Sequence, residues 1–171
     1  AKKILGSSKG IIAVIGKLTI DGELPDFEDM TVITGYDDKS ELVTKTKGAV
    51  IFKGPVTIKG INMSVSMGVT FVSNGNKIVL GENVKNTGSY KITYCDGLYN
   101  VGTAASVKLD TTVKNGFDIG EYYIGGANIT SSEVTIEDGS SIIIDGGTID
   151  KLYFGPRYSN DDCTEVSVPG G

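Results

Sequence analysis

The sequence predicts an all-β protein, a right-handed parallel β-helix, from three observations. The composition favours strands, the apolar runs are short and alternate with polar residues, and related units recur along the chain. Val, Ile and Thr together supply 51 of the 171 residues, whereas Leu and Ala supply 14. β-Branched residues suit a pleated surface, whereas Leu and Ala are strong helix formers. The composition therefore argues against an all-helical protein and disfavours a doubly wound α/β fold.

Strand-length runs and turn dipeptides are spread over the whole chain. The clearest runs are Lys17–Ile20, Val56–Ile58, Val69–Val72, Lys77–Leu80, Tyr90–Tyr94, Glu133–Ile136 and Ser141–Ile144. Alternation over such short lengths predicts strands with one apolar face. Turns are predicted at Asp21-Gly22, Lys59-Gly60, Asn74-Gly75, Asp96-Gly97, Asn115-Gly116, Asp138-Gly139 and Asp145-Gly146. Gly and Asn tolerate the positive φ that tight turns require.

A unit of the form apolar-Thr-Ile-x-Gly recurs. Copies begin at Leu18, Val56 and, with one extra residue before the Gly, Val134. Looser copies follow a step of about 20 residues, and Gly48–Gly60 aligns locally with Gly68–Gly81. A period of this size indicates a solenoid whose coils stack ladders of apolar side chains. We expect two or three strands per coil and, on this period, about seven or eight coils. A β-sandwich or jelly roll is the alternative, because it also gives short, closely spaced strands.

Two segments depart from the repeat. Residues Asn100–Gly126 are rich in Tyr and Gly and lose the period, which predicts an excursion from the coils. Leu24–Met30 carries Pro25 and acidic residues suited to a helix N-terminus, which predicts a single helical turn. No internal linker divides the chain, so we expect one β-helix domain over residues 1–171, as a segment of a larger protein.

The stretch IIIDGGTIDKLYFG, residues 142–155, resembles the GGTI-x-x-(L/V)-Y-x-G units of repetitive, adhesin-like cell-surface proteins of bacteria. The resemblance rests on Gly146–Gly155 and on the Gly/Thr/Ile texture around it. It implies a parallel β-helix in a secreted or wall-attached protein that serves as a stalk or an adhesive surface. The matching residues include no catalytic group to carry over.

The net charge and the residue types that the chain lacks disfavour several classes of function. The net charge is −5, and Arg157 is the single Arg. This balance disfavours nucleic-acid binding, which uses a basic, Arg-rich face. The chain has no His, which removes the commonest general base and metal ligand, and no Trp platform for sugars. No apolar run approaches the length of a membrane span. We find no catalytic signature and expect no enzyme and no membrane insertion.

The acidic pairs are candidate metal ligands. Asp161 and Asp162, or Asp37 and Asp38, are adjacent carboxylates of the kind that hold a structural Ca²⁺. The ordinary alternative is a solvated turn, since neither pair fits an established Ca²⁺ loop. Arg157 near Asp161 and Asp162 also fits a lyase site, with the guanidine as base beside bound Ca²⁺. A surface ion pair is the alternative there. A glycosidase carboxylate pair is not marked by any motif.

The second half of the chain offers a candidate binding surface at Tyr153, Arg157 and Tyr158. An exposed Tyr presents a flat apolar face and a polar tip, which suit sugars and proteins. The alternative is that such tyrosines fill the core. Cys95 and Cys163 form either one disulfide or two separate thiols, because sequence separation does not show whether their Cβ atoms meet.

These observations predict a structural or adhesive segment of an extracellular surface protein that binds glycans or host-cell proteins. A polysaccharide lyase or glycosidase, or a carbohydrate-binding module, on the same scaffold is the first alternative. A phage or virion fibre segment is the second.

Overall fold

The computed structural model describes residues 10–27, 30–129 and 133–157, together with the backbone of Glu165–Ser167. These residues form an all-β parallel solenoid of about five coils, which confirms the predicted β-helix over the β-sandwich. The right-handed sense of the coil stays a prediction. The described residues contain no helix, and so none that could cross a membrane.

Two sheets, A and C, run along the solenoid. Sheet A contains β1 (Ile11–Val14), β4 (Thr31–Gly35), β7 (Val56–Ile58), β10 (Ile78–Leu80), β14 (Asp110–Lys114) and β17 (Ser141–Asp145). Sheet C contains β3 (Gly22–Glu23), β6 (Gly48–Ile51), β9 (Val69–Val72), β12 (Ile92–Asp96), β15 (Asp118–Ile124) and β18 (Thr148–Phe154). Successive members of each sheet pair in parallel, so each coil adds one strand to each sheet.

The third sheet of the coil differs between the early and the late coils. Early coils place sheet B there, with β2 (Lys17–Ile20), β5 (Glu41–Thr44), β8 (Asn62–Ser64) and β11 (Lys85–Asn86). Later coils lose sheet B and gain sheet D, with β13 (Ala105–Val107), β16 (Glu133–Ile136) and β19 (Glu165–Ser167). In the later coils Asn115-Gly116 turns β14 directly into β15, whereas the chain that leaves sheet C crosses sheet D before it re-enters sheet A.

The replacement of sheet B by sheet D lengthens the coil. Pairing of Ile11 with Val32 in sheet A corresponds to an advance of 21 residues, whereas pairing of Ile78 with Thr111 corresponds to 33. The expected excursion at Asn100–Gly126 is therefore wrong. That segment contains β13, β14 and β15, and its period is lost because the coil grows, not because the chain leaves the solenoid. The longer coils also explain why about five coils form instead of seven or eight.

The recurring Thr-Ile unit marks individual strands and not a fixed position in the coil. Its copies at Leu18, Val56 and Val134 lie in sheets B, A and D, respectively. The unit thus records a strand followed by a turn, which occurs two or three times in every coil. The glycines of the seven predicted turns all have positive φ: Gly22, Gly60, Gly75, Gly97, Gly116, Gly139 and Gly146.

The predicted helical turn at Leu24–Met30 is wrong for the residues described there. Leu24–Phe27 is irregular, because the Leu24 amide donates to the Ile51 carbonyl at 2.8 Å and continues the extended path of β3 along sheet C. Phe27 is buried against the turn at Gly54, where a Cβ atom would lie 2.3 Å from the Phe27 carbonyl oxygen.

The core consists of side-chain ladders that run along the solenoid axis. One ladder on sheet A is Ile12, Ile33, Ile58, Leu80, Val113 and Ile144. One ladder on sheet C is Val50, Phe71, Tyr94, Tyr122 and Leu152. The interior members are buried, and Tyr94 stacks obliquely on Tyr122 with ring centroids 5.1 Å apart. Because neighbouring coils bury each other's inner faces, the ladders stabilise the stack as a whole.

Candidate functional site

The outer face of sheet C carries a second set of side chains, opposite the core. Alternation along the strands turns two columns outward: Ala49, Thr70, Thr93, Glu121 and Lys151 in one, and Ile51, Val72, Cys95, Tyr123 and Tyr153 in the other. Val72 and Cys95 are fully buried although they lie outside the core. Another layer of chain therefore covers this part of the face.

That layer is an outer ribbon formed by Tyr99, Ala127 and Arg157. Each lies just beyond the end of a sheet C strand, and the three make successive parallel bridges. The Ala127 amide donates to the Leu98 carbonyl at 2.9 Å, and the Arg157 amide donates to the Gly126 carbonyl at 2.9 Å. Ala127 packs on Val72 and Cys95, so the outer ribbon doubles back over the sheet that precedes it.

The close approach of the outer ribbon strands depends on glycine. Gly126 has a φ of +99°, and a Cβ atom there would lie 2.1 Å from the Leu98 carbonyl oxygen. Gly97 is also crowded, since a Cβ would lie 2.6 Å from the Gly126 nitrogen. An asparagine pair follows, in which the Asn128 side-chain amide donates to Asn100 Oδ1 at 3.2 Å. The Gly residues let the segments meet, and the Asn pair holds them in register.

A groove of about 400 Å³ opens between the outer ribbon and the first strands of sheet C. Small residues leave room along its floor, which consists of Gly48, Ala49, Gly68 and Thr70, and its other lining residues are Lys47, Tyr99, Ala127, Asn128 and Arg157. Its volume lies in the range of ~300–1,000 Å³ that is typical of small-ligand sites. None of the described residues that line it is a carboxylic acid.

Arg157 connects the wall of the groove to its floor. Its Nη1 donates to Thr70 Oγ1, although 87 positions separate the two residues in the sequence. Asn128 on the same wall also donates to the Tyr99 hydroxyl at 3.3 Å. The groove thus contains a guanidinium, an ammonium, an amide and two hydroxyls beside Gly48, Ala49 and Gly68, and groups of these kinds can bind polar, oxygen-rich ligands.

A tyrosine pair lies on the same outer face. The rings of Tyr123 and Tyr153 stack with centroids 4.5 Å apart and planes 14° apart, and Tyr153 is 37% exposed. The Tyr123 hydroxyl donates to Glu121 Oε2 at 3.2 Å, and Lys151 lies 3.6 Å from Glu121 Oε1. Burial and then the charge of Glu121 raise the pKa of Tyr123 to about 12, which keeps the phenol neutral and able to donate.

The structure brings two of the predicted binding residues to one face. Tyr153 stacks on Tyr123, and Arg157 bridges Ala127, which belongs to the same small apolar cluster as Tyr123. Tyr158, Asp161 and Asp162 lie outside the described residues, and their binding and metal roles stay predictions.

Sequence reasoning missed Lys47, Thr70, Asn128 and Glu121 as parts of this face. The available signal is a repeat that spans the end of each late sheet C strand, TYCDGLYN, YYIGGANI and LYFGPRYS at residues 93–100, 122–129 and 152–159. Each copy has a large side chain, Tyr94, Tyr122 or Leu152, three residues before a Gly, and this spacing marks the approach to the outer ribbon. Thr70 and Lys47 carry no such signal, because only coil stacking brings them to the groove.

Cys95 is a free thiol buried under the outer ribbon. The hypothesised disulfide with Cys163 is therefore not formed in this structure, and Cys163 itself lies outside the described residues. Burial raises the pKa of the Cys95 thiol to about 12, although the charge of Arg157 acts in the opposite direction.

The acidic pair at Asp37 and Asp38 forms a turn. Asp37 Oδ1 accepts hydrogen bonds from Ser40 Oγ at 2.8 Å and from the Lys39 amide at 3.1 Å. The bond from Ser40 is the largest influence that lowers the pKa of Asp37. In the part of the chain that the structure describes, no three Cys, Asp or Glu side chains converge as metal ligands would.

Comparison with known proteins found no matching family model, no matching curated protein and no matching solved structure. The structure therefore shows the β-solenoid fold, and the resemblance of Gly146–Gly155 to adhesin-like units stays an expectation from the sequence.

Proposed function

We propose that this chain is a segment of an extracellular surface protein that binds glycans through the outer face of sheet C. One observation carries the proposal: a polar groove of about 400 Å³ and a stacked, part-exposed tyrosine pair lie on the same face. Sugars are bound by hydrogen bonds to their hydroxyls and by apolar contact with their ring faces, and the two features offer both kinds of contact.

The groove's lining favours binding over hydrolysis. Glycoside hydrolysis needs two carboxyl groups that flank the scissile bond, and the described lining contributes none. The surface location is supported by the resemblance of Gly146–Gly155 to adhesin-like units. A stack of parallel strands also suits display, because it presents one long face.

The test is a glycan-binding screen on the intact chain. Neutral and acidic oligosaccharides are immobilised, bound protein is quantified, and hits are measured by titration calorimetry. We expect Tyr153→Ala to weaken binding at least fivefold through loss of the exposed ring. Tyr90→Ala is the matched control, since Tyr90 is 47% exposed on the loop before β12 and away from the groove.

Two results would overturn the proposal. One is the absence of binding to every glycan in the screen. The other is the release of new reducing ends from a polysaccharide panel with Ca²⁺ present, abolished by Arg157→Gln, which would instead establish the enzymatic alternative.

A further inference from the structure

We propose that one end of the solenoid docks onto the opposite end of a second copy of this chain, so that copies stack head to tail. We define the late end by the free edges of β17 and β18 and the early end by those of β1 and β3, because these strands are the outermost members of sheets A and C. A free strand edge has unpaired N–H and C=O groups that can bind one more strand. This inference goes beyond the proposed function, and its test needs no glycan.

The late end has an apolar surface. Ile144, Leu152 and Phe154 are 45%, 49% and 78% exposed, whereas the residues with which they pair in the preceding coil are all buried. An apolar hollow of about 160 Å³ opens beside Phe154 and is also lined by Ile136 and Ile142. A repeat protein that ends in water needs a terminal repeat with a polar outer surface. The described part of the late end instead has the surface of an internal coil, which packs against another coil.

The two end strands of sheet A also carry isoleucine on the side that faces away from the core. Ile11 in β1 is 69% exposed, and Ile143 in β17 is 52% exposed. Edge strands that remain in water are commonly protected by Lys or Pro, and neither residue occurs in β1 or β17. Both strands thus have the composition of strands with a neighbour on each side.

The register of the two sheets selects the early end of a second copy as the partner of the late end. All the strand pairs of sheets A and C are parallel, so only a copy in the same orientation continues both sheets at once. One further step in the register of sheet A places Ile11 of the second copy beside Ile143. The same step in sheet C places Leu24 of the second copy beside Phe154. The exposed apolar side chains of the two ends therefore meet each other.

The charges at the two ends are complementary in this register. Lys151 is the last residue of the outward column of sheet C, where it follows Glu121 and lies 3.6 Å from its carboxylate. Because Gly22 pairs with Val50, the next position in the column of Lys151 belongs to Asp21 of the second copy. Opposite charges on neighbouring strands attract, so the column would continue with alternating sign across the contact.

A contact between unlike ends leaves one free end of each kind on every assembly. Such a heterologous contact, when it does not close into a ring, generates a filament. The outer faces of sheet C would then be repeated along one side of the filament, which would multiply any binding site that each copy carries.

Sedimentation velocity of the intact chain over a wide range of concentrations tests the inference. A reductant is present, so that Cys163 forms no disulfide between copies. We expect the average mass to rise with concentration beyond that of a dimer, because each added copy provides a new free end.

Variants at the two edges identify the contact. Ile11→Lys and Ile143→Lys each place a charge on one free edge, and each should raise the concentration at which assemblies form at least tenfold. Both side chains are exposed, so the fold should be retained, and far-UV circular dichroism checks this. Tyr36→Lys is the matched control, since Tyr36 is 70% exposed but follows β4, an internal strand of sheet A. This control should associate like the wild type.

Mixing the two edge variants tests the orientation. Ile143→Lys keeps an intact early end, and Ile11→Lys keeps an intact late end. The mixture should therefore form a complex of one copy of each variant that grows no further, at a concentration where neither variant associates alone.

Each other outcome overturns the inference. A wild type that stays monomeric would show that no second copy binds these edges. Association that is unchanged in both edge variants would place the contact on another face. Dimers of one edge variant alone would show that like ends pair, and failure of the mixture to form the paired complex would exclude a contact between unlike ends.

Discussion

Tyr122 donates its phenolic hydrogen to Asp96 Oδ2 at 2.7 Å inside the solenoid, where both residues are fully buried. Ser73 donates to the other carboxylate oxygen at 2.7 Å and accepts the Gly97 amide at 2.9 Å. Burial raises the pKa of Asp96, and the hydrogen bonds from Ser73 and Tyr122 oppose that rise. The Asp96 carboxyl group thus fixes the end of β12, where the chain continues into the outer ribbon. Its burial makes ionisation of this group costly.

Replacing this carboxyl group should change how stability depends on pH. Because the pKa of Asp96 is higher in the folded chain than in the unfolded chain, the folded state binds the extra proton. The contribution of Asp96 to the free energy of unfolding is most favourable below the pKa of the unfolded chain and is lost as the pH rises through the pKa of the folded chain. Asp96→Asn mimics the protonated form at every pH. The free energy of unfolding of the variant should therefore increase relative to that of the wild type as the pH rises, by at most about 1.4 kcal/mol per pH unit.

Urea unfolding of both proteins between pH 4 and pH 8 measures this difference. Asp37→Asn is the control of opposite sign, since the hydrogen bond from Ser40 lowers the pKa of Asp37 in the folded chain. That variant should be less stable than the wild type above the unfolded pKa, and this deficit should shrink as the pH falls through the folded pKa, so the measurements on this pair extend to about pH 2. Parallel stability curves for the wild type and Asp96→Asn would show that Asp96 keeps an ordinary pKa.

The crowding at Gly126 predicts a large effect of a single methyl group. Gly126→Ala places a Cβ atom against the Leu98 carbonyl and also forces an L-residue to a φ of +99°. Gly16→Ala is the matched control, because Gly16 has a φ of +69° but no atom lies within 4 Å of its Cβ position. Positive φ alone costs roughly 1–2 kcal/mol, so Gly16→Ala should lose about that amount and Gly126→Ala about 3 kcal/mol or more.

Chemical denaturation measures the two losses, and the groove supplies a second readout. Because the outer ribbon forms one wall of the groove, Gly126→Ala should also weaken any ligand bound there, whereas Gly16→Ala should not. Equal losses of stability in the two variants would mean that the outer ribbon shifts to accept the methyl group without cost.

The strands were predictable from the sequence because local chemistry decides them. The predicted strands Lys17–Ile20, Val56–Ile58 and Val69–Val72 coincide with β2, β7 and β9. Alternation and a following turn glycine are enough to define such a strand. The phase of the coil was not predictable, because the Thr-Ile unit looks alike in every sheet. The exchange of sheet B for sheet D also depends on how coils stack, which a single strand does not encode.

The candidate site was predictable only where its residues are unusual. Arg157 is the single Arg, and Tyr153 belongs to a distinctive Gly/Tyr motif, so both stood out in the sequence. Thr70 is one of many threonines and becomes a partner of Arg157 only when the outer ribbon folds back across three coils. The groove floor is made by the absence of side chains at Gly48 and Gly68, which no motif marks.

Cys95 offers a direct test of whether the outer ribbon opens independently of the solenoid. The thiol is fully buried against Ala127, and burial raises its pKa to about 12, so it should resist alkylation in the folded protein. Only the thiolate reacts quickly, and removal of the outer ribbon would expose the thiol while the core ladders stay intact.

A Cys163→Ser background restricts the readout to Cys95. We expect slow labelling by iodoacetamide in buffer, at a rate well above that of global unfolding, and immediate labelling in denaturant. In the same background Gly126→Ala should speed up native labelling at least tenfold, whereas Gly16→Ala should change it only slightly. Labelling that follows the rate of global unfolding in all three proteins would show that the outer ribbon and the solenoid unfold as one unit.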